Sequence, residues 1–199
     1  MLKVTKVVLL SLVAVALIQT AAFGAVASTP HNLSATNAKG EICLPCHTPH
    51  NAAKPIGYLW NHTHKADSAF TKWEDAELSG GSLSCLSCHD GQTSVDDYYG
   101  STAGSAGAIV GRAALGVDLT NDHPVGVPYP SSSRYATLGT VHGRPGVVIG
   151  TSGLPLHEHN GVYQIECSTC HTPHSNTKGN FLRADNAGSA LCLACHTSW

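Results

Sequence analysis

The sequence predicts a mostly irregular fold, with short helices, a small β-hairpin and little other regular secondary structure. Twenty glycines and ten prolines among 199 residues favour turns and loops. Residues 147–149 and 162–165, separated by Gly- and His-bearing turn residues, predict the hairpin. Short helices are expected at residues 73–78 and 189–191. A five-residue motif, C-x-x-C-H, occurs four times and uses all eight cysteines, so it determines what this loop-rich chain folds around.

Each copy of the motif has the spacing that attaches a c-type haem. Two thiols on one short helical turn add to the two vinyl groups of a porphyrin, and the next histidine lies under the iron as its proximal ligand. The sequence therefore predicts four covalently attached haem c groups. The thioether-forming residues are Cys43, Cys46, Cys85, Cys88, Cys167, Cys170, Cys192 and Cys195, and the proximal ligands are His47, His89, His171 and His196.

Disulfides and zinc are the alternative uses of paired cysteines. Disulfides explain an even number of cysteines in an exported protein, but they do not explain a histidine after every pair. Paired C-x-x-C knuckles also bind zinc, and they have no need for that histidine either. The haem interpretation is the one that accounts for all four copies.

The first 27 residues are typical of a secretory signal peptide. Residues 1–6 are basic, residues 7–18 are apolar, and Ala25-Val26-Ala27 forms an A-x-A cleavage site. Cleavage there makes Ser28 the first residue. An uncleaved anchor helix is the alternative, although residues 7–18 are short for a span of about 20 apolar residues. We expect an exported protein, periplasmic or extracellular at the cell surface, whose mature chain, 28–199, has no membrane span.

Four haems leave few residues per cofactor in a chain of this length. The mature chain has 172 residues (199 less 27), which leaves about 43 residues for each haem, too few to build an ordinary core around it. We therefore expect the haems to form the core and folding to depend on them. Without the leader, nine basic and thirteen acidic side chains remain, a net charge of −4, and nothing suggests a nucleic-acid partner.

The chain offers histidine but no methionine as a distal iron ligand. Its only methionine is Met1, which leaves with the leader, so the Met/His ligation that raises the potential of many cytochromes c is excluded. The distal ligands are then histidines, or a site stays open. Nine histidines besides the proximal four are available.

The two halves of the chain repeat one another. Residues 43–50 and 167–174 share C-x-x-C-H-T-P-H, and a second motif follows each of them. We expect one domain built of two doubled units, at about 28–99 and 160–199, joined by a Gly/Ser/Pro-rich insert. His50 and His174 lie three residues beyond a proximal histidine, so each is expected to bind the iron of the other haem in its own pair. His31 and His123, both beside prolines, are the next distal candidates.

The motifs together resemble the c-type cytochromes with a doubled C-x-x-C-H motif. The resemblance rests on residues 30–34, 46–51, 59–62, 85–91, 122–126, 170–174 and 181–183. It implies a fifth distal candidate, His62, within L-W-N-H. His64, His142, His157 and His159 are expected to be exposed or to bond haem propionates. Haem number, size and histidine placement are also similar to those of tetrahaem subunits that polymerise into extracellular cytochrome filaments, in which a neighbouring subunit donates one distal histidine. Here that histidine would be His31 or His62.

These features predict a carrier of single electrons and not an enzyme. Bis-histidine haems leave no vacancy for a substrate, so we expect partners that are other redox proteins or further copies of this chain in a filament. A soluble monomeric carrier with all ligands internal is the alternative. A multihaem reductase or a small-ligand sensor would need a haem with an open position.

Overall fold

The computed structural model describes residues 25–54, 56–73, 76–102 and 106–198, and it confirms a mostly irregular fold. Within the described residues, regular structure is confined to short pieces. Besides the helical residues 25–27, this part of the chain contains the α-helices α1 (Gly80–His89), α2 (Cys167–Cys170) and α3 (Ala190–Cys195), and single 3-10 turns lie at Ser34–Thr36, Asp67–Ala69, Gly111–Ala113 and Ala187–Ser189. Of the predicted leader, only residues 25–27 fall within the described part. None of the described helices is long and apolar enough to span a membrane.

In the part of the chain that the structure describes, six short strands form two antiparallel sheets of three. One sheet has the order β1 (Val127–Pro128), β6 (Val162–Ile165), β5 (His157–His159), and the other has the order β2 (Gly139–Val141), β3 (Arg144–Ile149), β4 (Ser152–Pro155). The two predicted strands exist, but the prediction that they pair with each other is wrong. Strand β3 pairs with β2 and β4, whereas β6 pairs with β1 and β5.

Tight turns explain this pairing. His142-Gly143 and Asn160-Gly161 each connect two strands as a two-residue turn with both residues at positive φ (50° and 76°, 51° and 81°). Such turns match the twist of a hairpin, and Asn-Gly is their strongest sequence signal. Each hairpin is therefore closed by its own two-residue turn, and β3 and β6 lie in different sheets.

Helix α1 lies at the centre of the main apolar cluster. Its Leu83 and Leu86 pack with Ile56, Phe70, Leu78 and Leu119. The predicted helix over 73–78 is wrong where the structure describes it, since residues 76–79 are not helical and the helix begins at Gly80. The second expected helix is confirmed, because α3 follows the turn at Ala187–Ser189.

A buried carboxylate joins the two halves of the molecule. Glu166 is 1% exposed; its carboxylate accepts hydrogen bonds from the backbone N–H of Ser79 at 3.1 Å and from the side chain of Gln164. The backbone N–H of Cys167 donates to Ser82 Oγ at 3.0 Å. These bonds hold the start of α2 against the start of α1, so the second and third C-x-x-C-H motifs lie side by side.

Candidate haem-binding sites

The C-x-x-C-H motifs lie on short turns or helices, and the second one forms the last turn of α1. In the first motif, the backbone N–H groups of Cys46 and His47 both bond to the carbonyl of Cys43, at 3.2 and 2.9 Å. The corresponding histidine N–H bonds back to Cys167 and to Cys192, at 3.0 Å in both cases. This turn puts two thiols and an imidazole in the close order that covalent haem attachment requires. All eight cysteines are free thiols.

Successive motifs bring their thiols near one another. Burial, helped by the neighbouring Cys46, raises the pKa of Cys88 to about 12. A hydrogen bond between the thiols of Cys85 and Cys167 raises the pKa of Cys85 and lowers that of Cys167. Burial, with Cys195 close by, raises the pKa of Cys170 to about 11. Each of the first three motifs therefore has a thiol near a thiol of the motif that follows it in the sequence.

Three proximal imidazoles are oriented by a backbone carbonyl. The Nδ1 atoms of His47, His89 and His171 lie 2.7, 2.6 and 2.8 Å from the carbonyl oxygens of Tyr58, Ala113 and Asn180. Donation from Nδ1–H fixes the tautomer and the ring orientation, and it leaves Nε2 available to a metal. This arrangement is what a proximal haem ligand requires.

The carbonyls that orient His47 and His171 come from two separate turns with the same backbone conformation. Gly57, Tyr58 and Leu59 have positive φ (74°, 55°, 55°), and so do Gly179, Asn180 and Phe181 (74°, 46°, 57°). Each turn then forms a β-bridge with its proximal histidine, His47 with Trp60 and His171 with Leu182. The internal repeat therefore extends beyond the motif and includes the group that orients its histidine.

Three proximal histidines face a second histidine of the same chain. The ring centres are 6.2 Å apart for His31 and His89, 6.1 Å for His47 and His174, and 6.4 Å for His123 and His196. A first-row metal binds an imidazole nitrogen at about 2.0–2.1 Å, and that nitrogen lies about 1.1 Å from its ring centre, so two imidazoles on one iron would have centres about 6.3 Å apart. The three pairs thus fit a bis-histidine haem iron.

Local contacts orient two of the distal partners as well. Nδ1 of His123 lies 3.0 Å from the carbonyl oxygen of Pro124, and Nδ1 of His31 lies 3.4 Å from that of Pro173. The ring of His31 also packs on Phe181, with ring centres 4.2 Å apart and planes inclined by 19°. Burial lowers the pKa of His31, which favours the neutral form that a metal binds.

His174 stands opposite a different histidine from the one expected. The sequence places its iron within its own pair of motifs, whereas the structure sets its ring against His47 of the first motif. His50, its counterpart in the first half, is exposed. Within the described part of the chain, no second imidazole lies opposite His171. The second half of the chain therefore supplies the imidazole opposite the histidine of the first motif, and His171 of the third motif faces none among the described residues.

His62 differs from the other distal candidates because protein encloses it. Its side chain is 2% exposed, Nδ1 lies 2.9 Å from the carbonyl oxygen of Thr63, and Nε2 is buried without a hydrogen-bond partner in the described structure. Its ring lies beside Tyr98, not opposite a proximal histidine. The structure thus does not bring His62 to any of the four motifs.

The four remaining histidines have separate surroundings. His157 is buried, with Nε2 2.9 Å from Ser168 Oγ and Nδ1 3.5 Å from the Tyr58 hydroxyl. His159 pairs with Glu77 at 3.4 Å. His142 is exposed on its turn, and His64 lines a cavity of about 510 Å³ together with Glu77 and His159. None of them stands opposite a proximal ring in the described structure.

Comparison with known families identifies the class of protein. Residues 159–198 match the family model described as the doubled CXXCH motif. This match covers the C-terminal part of the chain and supports a multihaem c-type cytochrome family, because the CXXCH motif indicates covalently bound haem c. The matched residues contain the third and fourth motifs. A search of curated proteins gave no significant match.

Proposed function

We propose that this chain is a tetrahaem c-type cytochrome that carries electrons through bis-histidine haems outside the inner membrane. The observation that supports it best is the set of three imidazole pairs at 6.1–6.4 Å, each joining a motif histidine to a distant one. Haem, when bound, supplies one-electron iron chemistry. At these three sites two imidazoles would hold the iron, and they would leave no place on the metal for a substrate or water.

The adjacent attachment points support a role in conduction. Because thiols of successive motifs are neighbours, from Cys46 and Cys88 through to Cys170 and Cys195, the four sites form a continuous row. The thiol pair of Cys85 and Cys167 links the two halves within that row. A carrier needs its centres close together, whereas an enzyme needs one centre to be accessible.

The third site favours self-association. His171 has its Nδ1 bonded to Asn180 but faces no imidazole in the described structure, and His50 is exposed and faces none either. We assign His50 as the distal ligand of the third haem, donated by a neighbouring copy in a filament. His31 and His62 are less suited to that exchange than the sequence suggests, since His31 faces His89 and His62 is buried. A monomer that uses its own His50 is the alternative.

The variant His50→Ala tests this assignment. One haem of four should change from low-spin to high-spin in the ferric state, and filaments should be lost from the secreted material while the haem content stays the same. His142→Ala, which removes another exposed histidine, is the matched control. A wholly low-spin His50→Ala protein would contradict the assignment. Low-spin content that falls on dilution of the wild type indicates donation between copies, and a dilution-independent spectrum indicates a monomer.

A multihaem reductase is the second candidate, and the same site favours it. If no histidine completes the third haem, the iron beside His171 stays open to a substrate. The wild-type protein would then contain a high-spin haem at every concentration, and nitrite or carbon monoxide would change its spectrum. A carrier should show neither response.

A further inference from the structure

The two turns that orient His47 and His171 differ in the residue that supplies the carbonyl. It is Tyr58 in the first turn and Asn180 in the second, and both have a left-handed backbone, with φ of 55° and 46°. Asparagine is one of the few residues that adopt this conformation readily, whereas a bulky side chain such as tyrosine does so at a cost. The first turn is therefore the less stable of the two by itself, and a contact from elsewhere in the chain would stabilise it.

The side chain of Tyr58 makes such a contact with His157 of strand β5. Its hydroxyl lies 3.5 Å from Nδ1 of the imidazole, which is a long hydrogen bond. His157 is 8% exposed and pairs with Gln164 of β6, so the sheet fixes its position. Its other ring nitrogen, Nε2, lies 2.9 Å from Ser168 Oγ, inside the third motif. One buried ring thus touches both the turn beside the first motif and the helix that carries the third.

Both ring nitrogens of His157 have a hydroxyl group as partner. Burial, together with Arg144 and Arg183, lowers the pKa of His157 to about 4, so the ring is neutral at pH 7. A neutral imidazole has one donor and one acceptor nitrogen, and a hydroxyl can act as either. Both contacts can therefore form at once, and they leave neither nitrogen for a metal. This histidine can act on a haem only through the residues that it holds.

Tyr58 connects His157 to an imidazole that is expected to bind iron. The Tyr58 carbonyl oxygen lies 2.7 Å from Nδ1 of His47, and this hydrogen bond sets the ring orientation and the basicity of the ligand. The Tyr58 side chain is 53% exposed, so packing holds it only in part. The buried imidazole gives its hydroxyl a fixed partner, which limits how far the carbonyl of the same residue can move away from His47.

We propose that His157 is a positioning residue for the first haem, because it holds Tyr58 in the conformation that keeps the carbonyl on His47. The proposal rests on the proposed function, since it needs haem at the first motif. Through Ser168, the same ring ties this turn to the third motif, so the second half of the chain controls the hydrogen bond on a ligand of the first half. The second turn does without such a residue, because Asn180 adopts the left-handed conformation readily.

The variants Tyr58→Phe and His157→Gln test the proposal in the haem-loaded protein. The first removes only the hydroxyl, and the second removes the acceptor at Nδ1 while its amide can still bond Ser168. In both, the bond to His47 should weaken and make the ligand less basic, so ferric iron is stabilised less. The reduction potential of one haem should rise and its largest low-spin g value should shift, while four haems are retained. Tyr99→Phe, at a tyrosine that is 69% exposed, should change neither readout.

The second turn provides a rescue experiment. Tyr58→Asn places in the first turn the residue that occupies the same position in the second, where the left-handed backbone is adopted readily. In that background, His157→Gln should no longer move the potential or the g value of the first haem. An effect as large as in the wild-type background would show that His157 acts by a route other than Tyr58, and it would overturn the proposal.

Removal of the first haem separates this proposal from the proposed function. In a protein with Cys43→Ala and Cys46→Ala, His157→Gln should leave the signals of the other haems unchanged, and a shift there would overturn the assignment to the first haem. Unchanged potentials and g values in both Tyr58→Phe and His157→Gln, with four haems present, would overturn the positioning role and leave the electron-carrier function intact. A wild-type protein whose Cys43 and Cys46 carry no haem would contradict the proposed function itself, and this role with it.

Discussion

At the scale of single residues, the hydrogen bond at Nδ1 and the imidazole opposite distinguish several candidate ligand histidines from buried His157. His47, His89 and His123 each bond a carbonyl through Nδ1 and face an imidazole, whereas His157 has partners for both ring nitrogens. The proximal histidines could be predicted because the motif places them locally. His31, His123 and His174 could be named as distal candidates, but the motif histidine that each one faces could not be predicted, since loops with no periodic pattern bring them from distant parts of the chain.

The assignment of His174 as the imidazole opposite His47 of the first motif can be tested by substitution. His174→Ala should convert one haem of four to the high-spin state, because it removes the imidazole opposite His47. In a protein that already lacks the first haem, through Cys43→Ala and Cys46→Ala, the same change should add no high-spin signal. Additional high-spin haem in that triple variant would show that His174 serves another iron, such as that beside His196. Electron paramagnetic resonance measures both outcomes.

Buried His157 should make stability depend on pH. Burial lowers its folded-state pKa from 6.5 to about 4, so the unfolded chain binds more protons between these values and stability falls as the pH falls from 6.5 to 4. With allowance for partial solvation, the loss attributable to His157 should be about 2 kcal/mol. Guanidinium unfolding midpoints of the wild type and His157→Gln should converge toward pH 4. Parallel curves for the two proteins would exclude this histidine as the cause.

At the scale of the elements, Gly80 and Gly81 allow the start of α1, the helix that carries the second motif, to pack closely on its neighbours. The sequence suggests that Gly80-Gly81 ends a helix, yet α1 begins there, with the Ser79 side chain accepting a hydrogen bond from the Gly81 N–H at 3.3 Å. A Cβ on Gly80 would lie 1.9 Å from the carbonyl oxygen of Ile56, and one on Gly81 would lie 2.7 Å from Ser168 Oγ. Such close approaches depend on tertiary packing, which local propensity does not reveal.

Gly80→Ala should therefore destabilise the protein although alanine is the better helix former. The clash with backbone should cost about 2 kcal/mol or more, against a gain in helix propensity of about 1 kcal/mol. Chemical denaturation measures the difference, with Ser84→Ala on the same helix as the control. Equal stability of Gly80→Ala and wild type would mean that α1 does not pack on Ile56 as described.

Local sequence signals were sufficient to predict that strands β3 and β6 exist, but not how they pair. The existence of β3 and β6 followed from their apolar runs, but their pairing depended on the two-residue turns His142-Gly143 and Asn160-Gly161. The Asn160-Gly161 dipeptide carries the sequence signal of such a turn. The turn Gly57–Leu59 and its copy at 179–181 carry no comparable signal, because only their shared positive φ values reveal the repeat.

At the scale of the whole molecule, thiols of successive motifs lie near one another and the polypeptide core is small. The main apolar cluster has six buried members around α1, and the second and third motifs meet where Glu166 joins α1 to α2. The size of the chain predicted that haem would replace an ordinary core. The order of the sites was not predictable, because it depends on thiols such as Cys85 and Cys167 meeting across the two halves.

The electron paramagnetic resonance spectrum of the ferric, assembled protein, with haem counted on the same sample, tests the central claim most directly. Four haems per chain, all with low-spin signals, are the predicted result, since every iron should have two imidazole ligands. A high-spin signal from any one haem of the assembled protein, or fewer than four haems, would contradict the account.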